Sequence, residues 1–328
     1  MKKSVAIVGA TGYTGAELIK ILLNHPYFEI KTLFSSQGGE RIEEIYPAFK
    51  GVFETEIQKA DIKKIGEHDL DFLAVPHKTA MDFVKELINY NCKIVDFSAD
   101  YRLTKLNYEN YYCPHIDIDN LSKAVYGLPE YFKDKIKGAK LVANPGCYPT
   151  ATLLGLLPFV TEIEGAVFID AKSGVSGAGK KLSESTHFVT IDENIFAYNP
   201  INHRHSIEIK EKSGLNNINF VPHLIPVNRG MLISIYATLK NNIDAKEILK
   251  ERYKDSKFIR IKDKPVDIKS TAGTNFCDIF VFQNGKNLFI NSSIDNLLRG
   301  ASSQAVVNAN LMMGYEEDCG IPKIAYIP

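Results

Sequence analysis

Ser4-Val5-Ala6-Ile7-Val8-Gly9-Ala10-Thr11-Gly12-Tyr13-Thr14-Gly15 opens the chain, and the apolar patch Ala16–Leu23 follows at helical spacing. A β run, a glycine turn and a helix in that order set a pyrophosphate on the free N–H groups of a helix N-terminus. Glycines let the backbone approach the phosphate with no Cβ in the way. Gly9, Thr11, Gly12, Tyr13, Thr14 and Gly15 are therefore candidate cofactor-binding residues. The spacing is GxxGxxG rather than GxGxxG, so a plain strand-to-helix turn is the competing reading.

The end of the next strand narrows the cofactor. An NAD site commonly has an Asp or Glu there to hold the ribose 2′-OH. Here Phe34-Ser35-Ser36-Gln37-Gly38-Gly39 brings no acid until Glu40, followed by Arg41. Ser35 and Ser36, on an open loop, suit a 2′-phosphate, and the expected cofactor is NADP(H).

Outward from this turn, Ile30–Phe34, Leu70–Val75, Lys93–Phe97 and Lys140–Ala143 are short apolar runs, with helix-like Ala80–Ile88 between two of them. Continuous apolar strands alternating with helices mean a parallel sheet covered on both faces. Tyr101–Tyr131, rich in Tyr, Asn and Pro, reads as irregular. Beyond about residue 160, Ala166–Ala171, Asn219–Val221, Met231–Leu239, Phe258–Ile261, Asp278–Phe282 and Leu288–Asn291 read as strands, mostly bounded by turns, which favours an antiparallel sheet. The expected fold is α/β: a Rossmann-type parallel-sheet domain over residues 1–147, then an α+β catalytic domain with a largely antiparallel sheet over 148–299. The helix Ser302–Met313, within a segment of about 300–328, is expected to pack back on the first domain.

The 328 residues carry 39 basic and 39 acidic side chains. That balance leaves no basic footprint for nucleic acid or an anionic membrane surface. No apolar run approaches the roughly 18 residues that span a bilayer. Met1-Lys2-Lys3 resembles the start of a signal peptide, but the apolar run after it breaks at Gly9. Cys92, Cys113, Cys147, Cys277 and Cys319 are odd in number and scattered. Neither a disulfide framework nor a metal site is expected, and the compartment reads as the reducing cytoplasm.

One cysteine has a distinctive setting. Asn144-Pro145-Gly146-Cys147-Tyr148-Pro149-Thr150 joins the strand Lys140–Ala143 to the apolar helical run Ala151–Val160. Cys147 thus lies at the carboxyl end of a parallel strand and beside a helix N-terminus, whose dipole favours the thiolate. A nucleophile needs a proton-transfer partner, and Asn202-His203-Arg204-His205-Ser206-Ile207-Glu208 is the richest histidine cluster. His205 and Glu208 are three apart, so on a helical turn Glu208 could orient the ring. His203 is the second candidate base, and an HxH pair could instead hold zinc, although no further ligand set accompanies it. Ser173, Gly174 and Gly177 belong to a small-residue loop that suits either a phosphate or nicotinamide contact or a mobile connector. Arg204 and Arg229 are candidate anion anchors through the guanidinium fork.

The motif series resembles the N-acetyl-γ-glutamyl-phosphate reductase family, relatives of aspartate-semialdehyde dehydrogenase. It comprises Ile7–Leu18, Ser98-Ala99-Asp100-Tyr101-Arg102-Leu103, Tyr126-Gly127-Leu128-Pro129-Glu130, Asn144–Thr150, His203–Glu208, Pro222–Gly230 and Asp295–Ala305. The resemblance runs from residue 5 to about residue 313. It implies NADPH-dependent reduction of an acyl phosphate to a semialdehyde through a Cys147 thioester, in arginine biosynthesis, by a homo-oligomer (dimer or tetramer). Aspartyl or aminoadipyl phosphate is the alternative substrate. It further implies Arg102 and Asn144 at the substrate and Asn296 near the nicotinamide. One departure stands out: many members place an arginine beside the serines where this chain has Gln37, which shifts the 2′-phosphate contact to Arg41 or to backbone. A thiol hydrolase would need no glycine turn, and a non-enzymatic NADP-binding regulator would need no cysteine at a helix start.

Overall fold

A computed structural model describes residues 1–327. The described residues divide into two compact units, 1–145 with 301–321 and 146–300 with 322–327.

The first unit is built on seven strands: β1 Lys3–Val8, β2 Phe28–Ser35, β3 Gln58–Lys59, β4 Leu70–Leu73, β5 Lys93–Asp96, β6 Val125–Tyr126 and β7 Leu141–Ala143. Their order is β3-β2-β1-β4-β5-β7-β6, and every neighbouring pair is parallel. Val5, Ala6, Ile7, Leu70, Phe72, Ile94, Val95 and Val142 have no exposed surface. Such strands can be apolar without alternation because helices cover both faces. The helix Ser302–Met312 is buried along its whole length, and its Ser302 hydroxyl donates to Thr14 O at 3.0 Å in the helix Tyr13–Leu22. Tyr101–Tyr131, expected to be irregular, instead contains the helices Lys105–Tyr111 and Ile118–Leu121 and the start of Pro129–Ile136. Their polar and aromatic residues carry no long apolar period, so no helical signal was available there.

The second unit holds β8 Ile163–Gly174, β9 Phe196–Ala197, β10 Ile218–Ile225, β11 Met231–Leu239, β12 Ile259–Ile261, β13 Cys277–Asn284 and β14 Asn287–Ile294. The order is β12-β13-β14-β11-β8-β10-β9. Four of the six pairings are antiparallel, and β10/β8 and β12/β13 are parallel. Buried and open residues alternate along β10 and β11, the sign of a sheet with one face on a core. The fold is therefore the Rossmann-type α/β unit with a mixed, largely antiparallel α+β unit. The helices Arg204–Ser213 and Ala245–Tyr253 have predominantly polar sequences, which carry little apolar period.

Candidate active site

In the first unit, Gly9 has φ +90°, and a Cβ there would lie 2.2 Å from the Ala74 carbonyl oxygen. A Cβ on Gly15 would lie 2.6 Å from Gly9 O. These two glycines close the turn on itself. Gly12 differs, because a Cβ would meet only Gly9 O, at 3.6 Å. Gly12 is the N-cap of Tyr13–Leu22 and offers no side-chain cap. The first turn thus has no side-chain cap and the space at Gly12 is open, features that fit a dinucleotide pyrophosphate. Tyr46 roofs the turn by donating its hydroxyl to Thr11 O at 2.9 Å, and burial pushes its phenol up to about 12.

At the end of β2, Ser35 is buried, accepts from Gly38 N at 2.9 Å and donates to Glu40 Oε2 at 3.2 Å. Ser36 is exposed, and Arg41 pairs with Glu43. Arg102, expected at the substrate, is buried, and its guanidinium donates to the carbonyls of Asn144 (2.8 Å) and Phe97 (2.5 Å). Asn144 is likewise knit inward, donating to Ala301 O and accepting from Asn308 Nδ2, each at 3.0 Å. Nearby Asp96 is held up at about 7 by burial, with the Asp100 charge acting in the same direction.

In the second unit, Cys147 is the first residue of the helix Cys147–Leu156, whose N-cap Gly146 also lacks a side-chain cap. Cys147 is partly exposed, the condition a reactive cysteine needs. Glu208 reaches this turn from the helix Arg204–Ser213, and Gly146 N donates to its Oε1 at 3.1 Å. Glu208 itself is 1% exposed. The N-cap of its helix is His203, whose Nδ1 accepts from His205 N at 3.1 Å. Burial, reinforced by the Arg204 charge, lowers the His203 pKa to about 4. His203 is thus a neutral acceptor at physiological pH. Tyr148 lies with its ring centroid 5.8 Å from both imidazoles, and its hydroxyl shares a 3.0 Å hydrogen bond with that of Tyr198. Burial drives both phenols upward, Tyr198 to about 12.

The other expected residues gather on neighbouring loops. A Cβ on Gly174 would lie 2.8 Å from the Arg229 backbone, and one on Gly177 would lie 2.8 Å from Ser173 Oγ. Asn296 joins the loops, donating to Ser176 Oγ at 3.0 Å and accepting from Gly230 N at 2.7 Å. Arg229 pairs with buried Asp295 at 3.3 Å and stacks 5.4 Å from the Tyr326 ring. Arg204 is exposed at the start of its helix.

Two residues at Cys147 lacked an assigned role in the sequence reading. A Cβ on Gly300 would lie 2.6 Å from Cys147 Cβ, so only glycine fits against that side chain. Gly300 stood within a quoted motif, but its role needs the close approach. Tyr198 stood in no motif; β9 brings it to Tyr148. Among the described residues no cluster of His, Cys, Asp or Glu is arranged to hold a metal, and no helix is long and apolar enough to cross a membrane.

Comparison with known proteins accounts for both units. The family described as semialdehyde dehydrogenase, NAD binding domain, matches residues 4–139, and the semialdehyde dehydrogenase dimerisation domain matches residues 147–296. N-acetyl-γ-glutamyl-phosphate reductase of Sulfurimonas denitrificans is 57% identical, with 99% of this chain and 98% of that protein covered. The Aquifex aeolicus protein of the same name is 41% identical, with 99% and 98% covered. Among solved structures, aspartate semialdehyde dehydrogenase II of Vibrio cholerae superposes with a TM-score of 0.73 at 17% identity, covering 96% of this chain and 99% of that one. The Candida albicans aspartate semialdehyde dehydrogenase with NADP gives 0.72 at 15% identity, covering 95% and 99%. These two structures share the fold. On the full-length identities and the two domain matches, the chain belongs to the semialdehyde dehydrogenase family, among its N-acetyl-γ-glutamyl-phosphate reductases.

Proposed function

We propose that this protein reduces N-acetyl-γ-glutamyl phosphate to N-acetylglutamate semialdehyde with release of phosphate, using NADPH, as a step of arginine biosynthesis in the cytoplasm. The observation that carries the reading is the Cys147 helix start, with Glu208 on the Gly146 N–H and both histidine rings against Tyr148. The full-length relatives named for this reaction support it.

Cys147 attacks the acyl carbonyl as thiolate, forming a C–S bond and expelling phosphate to leave a thioester. The N–H groups of its own helix start stabilise the oxyanion in that step. A nicotinamide cofactor held by Gly9, Thr11, Gly12, Tyr13, Thr14, Gly15, Ser35 and Ser36 supplies the hydride for reduction when bound. The chain then returns the thiolate as the hemithioacetal collapses to aldehyde. His205 moves the proton at the reacting oxygen, since His203, held neutral, caps the helix and orients the His205 backbone. Glu208 fixes the Cys147 turn relative to that helix. Arg204 and Arg229 attract the substrate's phosphate or carboxylate, and Arg102 and Asn144 hold the chain leading into the Cys147 turn. Ser173, Gly174, Gly177 and Asn296 shape the loops beside Arg229.

The active form is a homo-oligomer. Phe168, Tyr236, Phe289 and Phe282 stand side by side in register across β8, β11, β14 and β13. Phe168, Tyr236 and Phe282 are 55, 48 and 59% exposed, an apolar row suited to a second copy. Replacing Phe168 and Tyr236 by Ser should shift the mass measured by light scattering toward the monomer.

The deciding assay is phosphate-dependent reduction of NADP+ by N-acetylglutamate semialdehyde beside aspartate semialdehyde, followed by absorbance of the reduced nicotinamide. Strong preference for the acetylated aldehyde is expected. Turnover of aspartate semialdehyde alone would keep the thiol chemistry and overturn the substrate.

A further inference from the structure

The missing arginine after Ser36 leaves open which cation meets a 2′-phosphate. Arg41, the nearest in sequence, is engaged by Glu43. The parallel ladder supplies another. Lys59 ends β3 directly opposite Ser35, and Ala60 N donates to Ser35 O at 2.8 Å. The glycine loop after β2 lies against it, since Gly38 has φ +73° and a Cβ there would be 2.4 Å from Lys59 N. Beside this loop is a cavity of about 660 Å³ whose wall includes Gln37, Gly39, Lys59 and Lys64. Lys64 Nζ donates to Gln58 Oε1 at 3.3 Å. Among the described residues no carboxylate pairs with the Lys59 ammonium. Glu56 also lines the cavity, and Glu40 holds Ser35 from the side.

Resting on the NADP reading above, we propose that Lys59, carried on the edge strand rather than on the loop after β2, is the cation that selects the cofactor's 2′-phosphate. An ammonium needs no bidentate geometry to bind phosphate and acts as a point charge. Lys64 adds a second positive charge to the same cavity, whereas Arg41 contributes little because Glu43 neutralises it.

Calorimetric titration of the full-length protein with NADP+, NAD+, 2′,5′-ADP and 5′-AMP tests this without turnover. The native chain should bind NADP+ more tightly than NAD+, and 2′,5′-ADP more tightly than 5′-AMP. Lys59→Gln should weaken both 2′-phosphorylated ligands about tenfold, the loss of one charge-assisted contact, and leave NAD+ within about twofold. Lys59→Arg should restore affinity, and Arg41→Gln should leave the ratio unchanged. An unchanged ratio in Lys59→Gln, or equal loss of both cofactors, overturns Lys59 while sparing the NADP reading. Absence of NADP+ preference in the native chain overturns the reading and the proposal together.

Discussion

The helices Tyr13–Leu22 and Cys147–Leu156 begin alike, each from a glycine in extended backbone, Gly12 at φ −83°, ψ 165° and Gly146 at φ −68°, ψ 155°. Each follows an apolar strand of the parallel sheet in chain order, and neither has a side-chain cap. At Gly12 the surrounding space is open, as the proposed anion site requires. At Gly146 the cap N–H is taken by Glu208, and the residue after it is a thiol. One local device thus leaves an uncapped, open helix start at Gly12 and places a cysteine in the first turn after Gly146, the two features on which the proposed cofactor and thiol roles rest. The difference lies in which side chains the rest of each unit brings to the glycine.

Removing the thiol should produce the largest separation between the two helix starts. Cys147→Ser should lower turnover by about a thousandfold or more while NADP+ binding by calorimetry stays as in the native chain. Retention of most of the activity would end the thioester mechanism.

Crowding the other helix start reverses the pattern. Gly12→Ala should weaken NADP+ binding about tenfold or more with little change in melting temperature, because its Cβ enters the space the pyrophosphate fills. Gly9→Ala should instead destabilise the protein, since φ is +90° and the Ala74 carbonyl is in the way. If Gly12→Ala binds NADP+ normally, the cradle is misplaced.

Glu208→Ala should lower kcat about ten- to a hundredfold and cost about 1–3 kcal/mol in urea unfolding, since the buried Gly146 N–H loses its acceptor. Glu208→Gln keeps an acceptor oxygen and should recover most of the stability. Equal stability loss in both variants would remove the hydrogen bond as the cause.

The smallest effect concerns pH. His203 titrates lower in the folded chain, at about 4, than in the unfolded chain, near 6.5. Between these values the unfolded state binds more protons, so the His203 contribution is complete above about pH 6.5 and is lost as pH falls toward 4. His25, also lowered by burial, contributes with the same sign. His203→Asn keeps a capping side chain and should flatten, without abolishing, the pH slope of stability measured by urea titration. An unaltered slope would place the depression elsewhere.

Much of the first unit was legible because its signals are local. Val5–Val8 is buried on both faces and reads as a continuous apolar run, Leu70–Leu73 is as buried and apolar except at Asp71, and Gly9 is demanded by its own backbone angle. Cys147 was legible because proline, glycine and a following apolar helix frame it. The helix Arg204–Ser213 was hinted at only by the His205–Glu208 spacing, since its apolar period is weak. Arg102, which the resemblance implies at the substrate, is buried with its guanidinium on the Asn144 and Phe97 carbonyls. A charged residue's identity does not tell whether solvent, substrate or backbone will satisfy it.

The sequence by itself determined the two-sheet architecture, the glycine turn and the thiol, because hydrophobic period, glycine spacing and helix-start chemistry act over a few residues. Tertiary structure alone decided that Glu208 serves the Gly146 N–H, that Tyr198 meets Tyr148, and that Gly300 leaves room for Cys147. These contacts join residues about 50 to 150 positions apart, where packing rather than local pattern sets the distance.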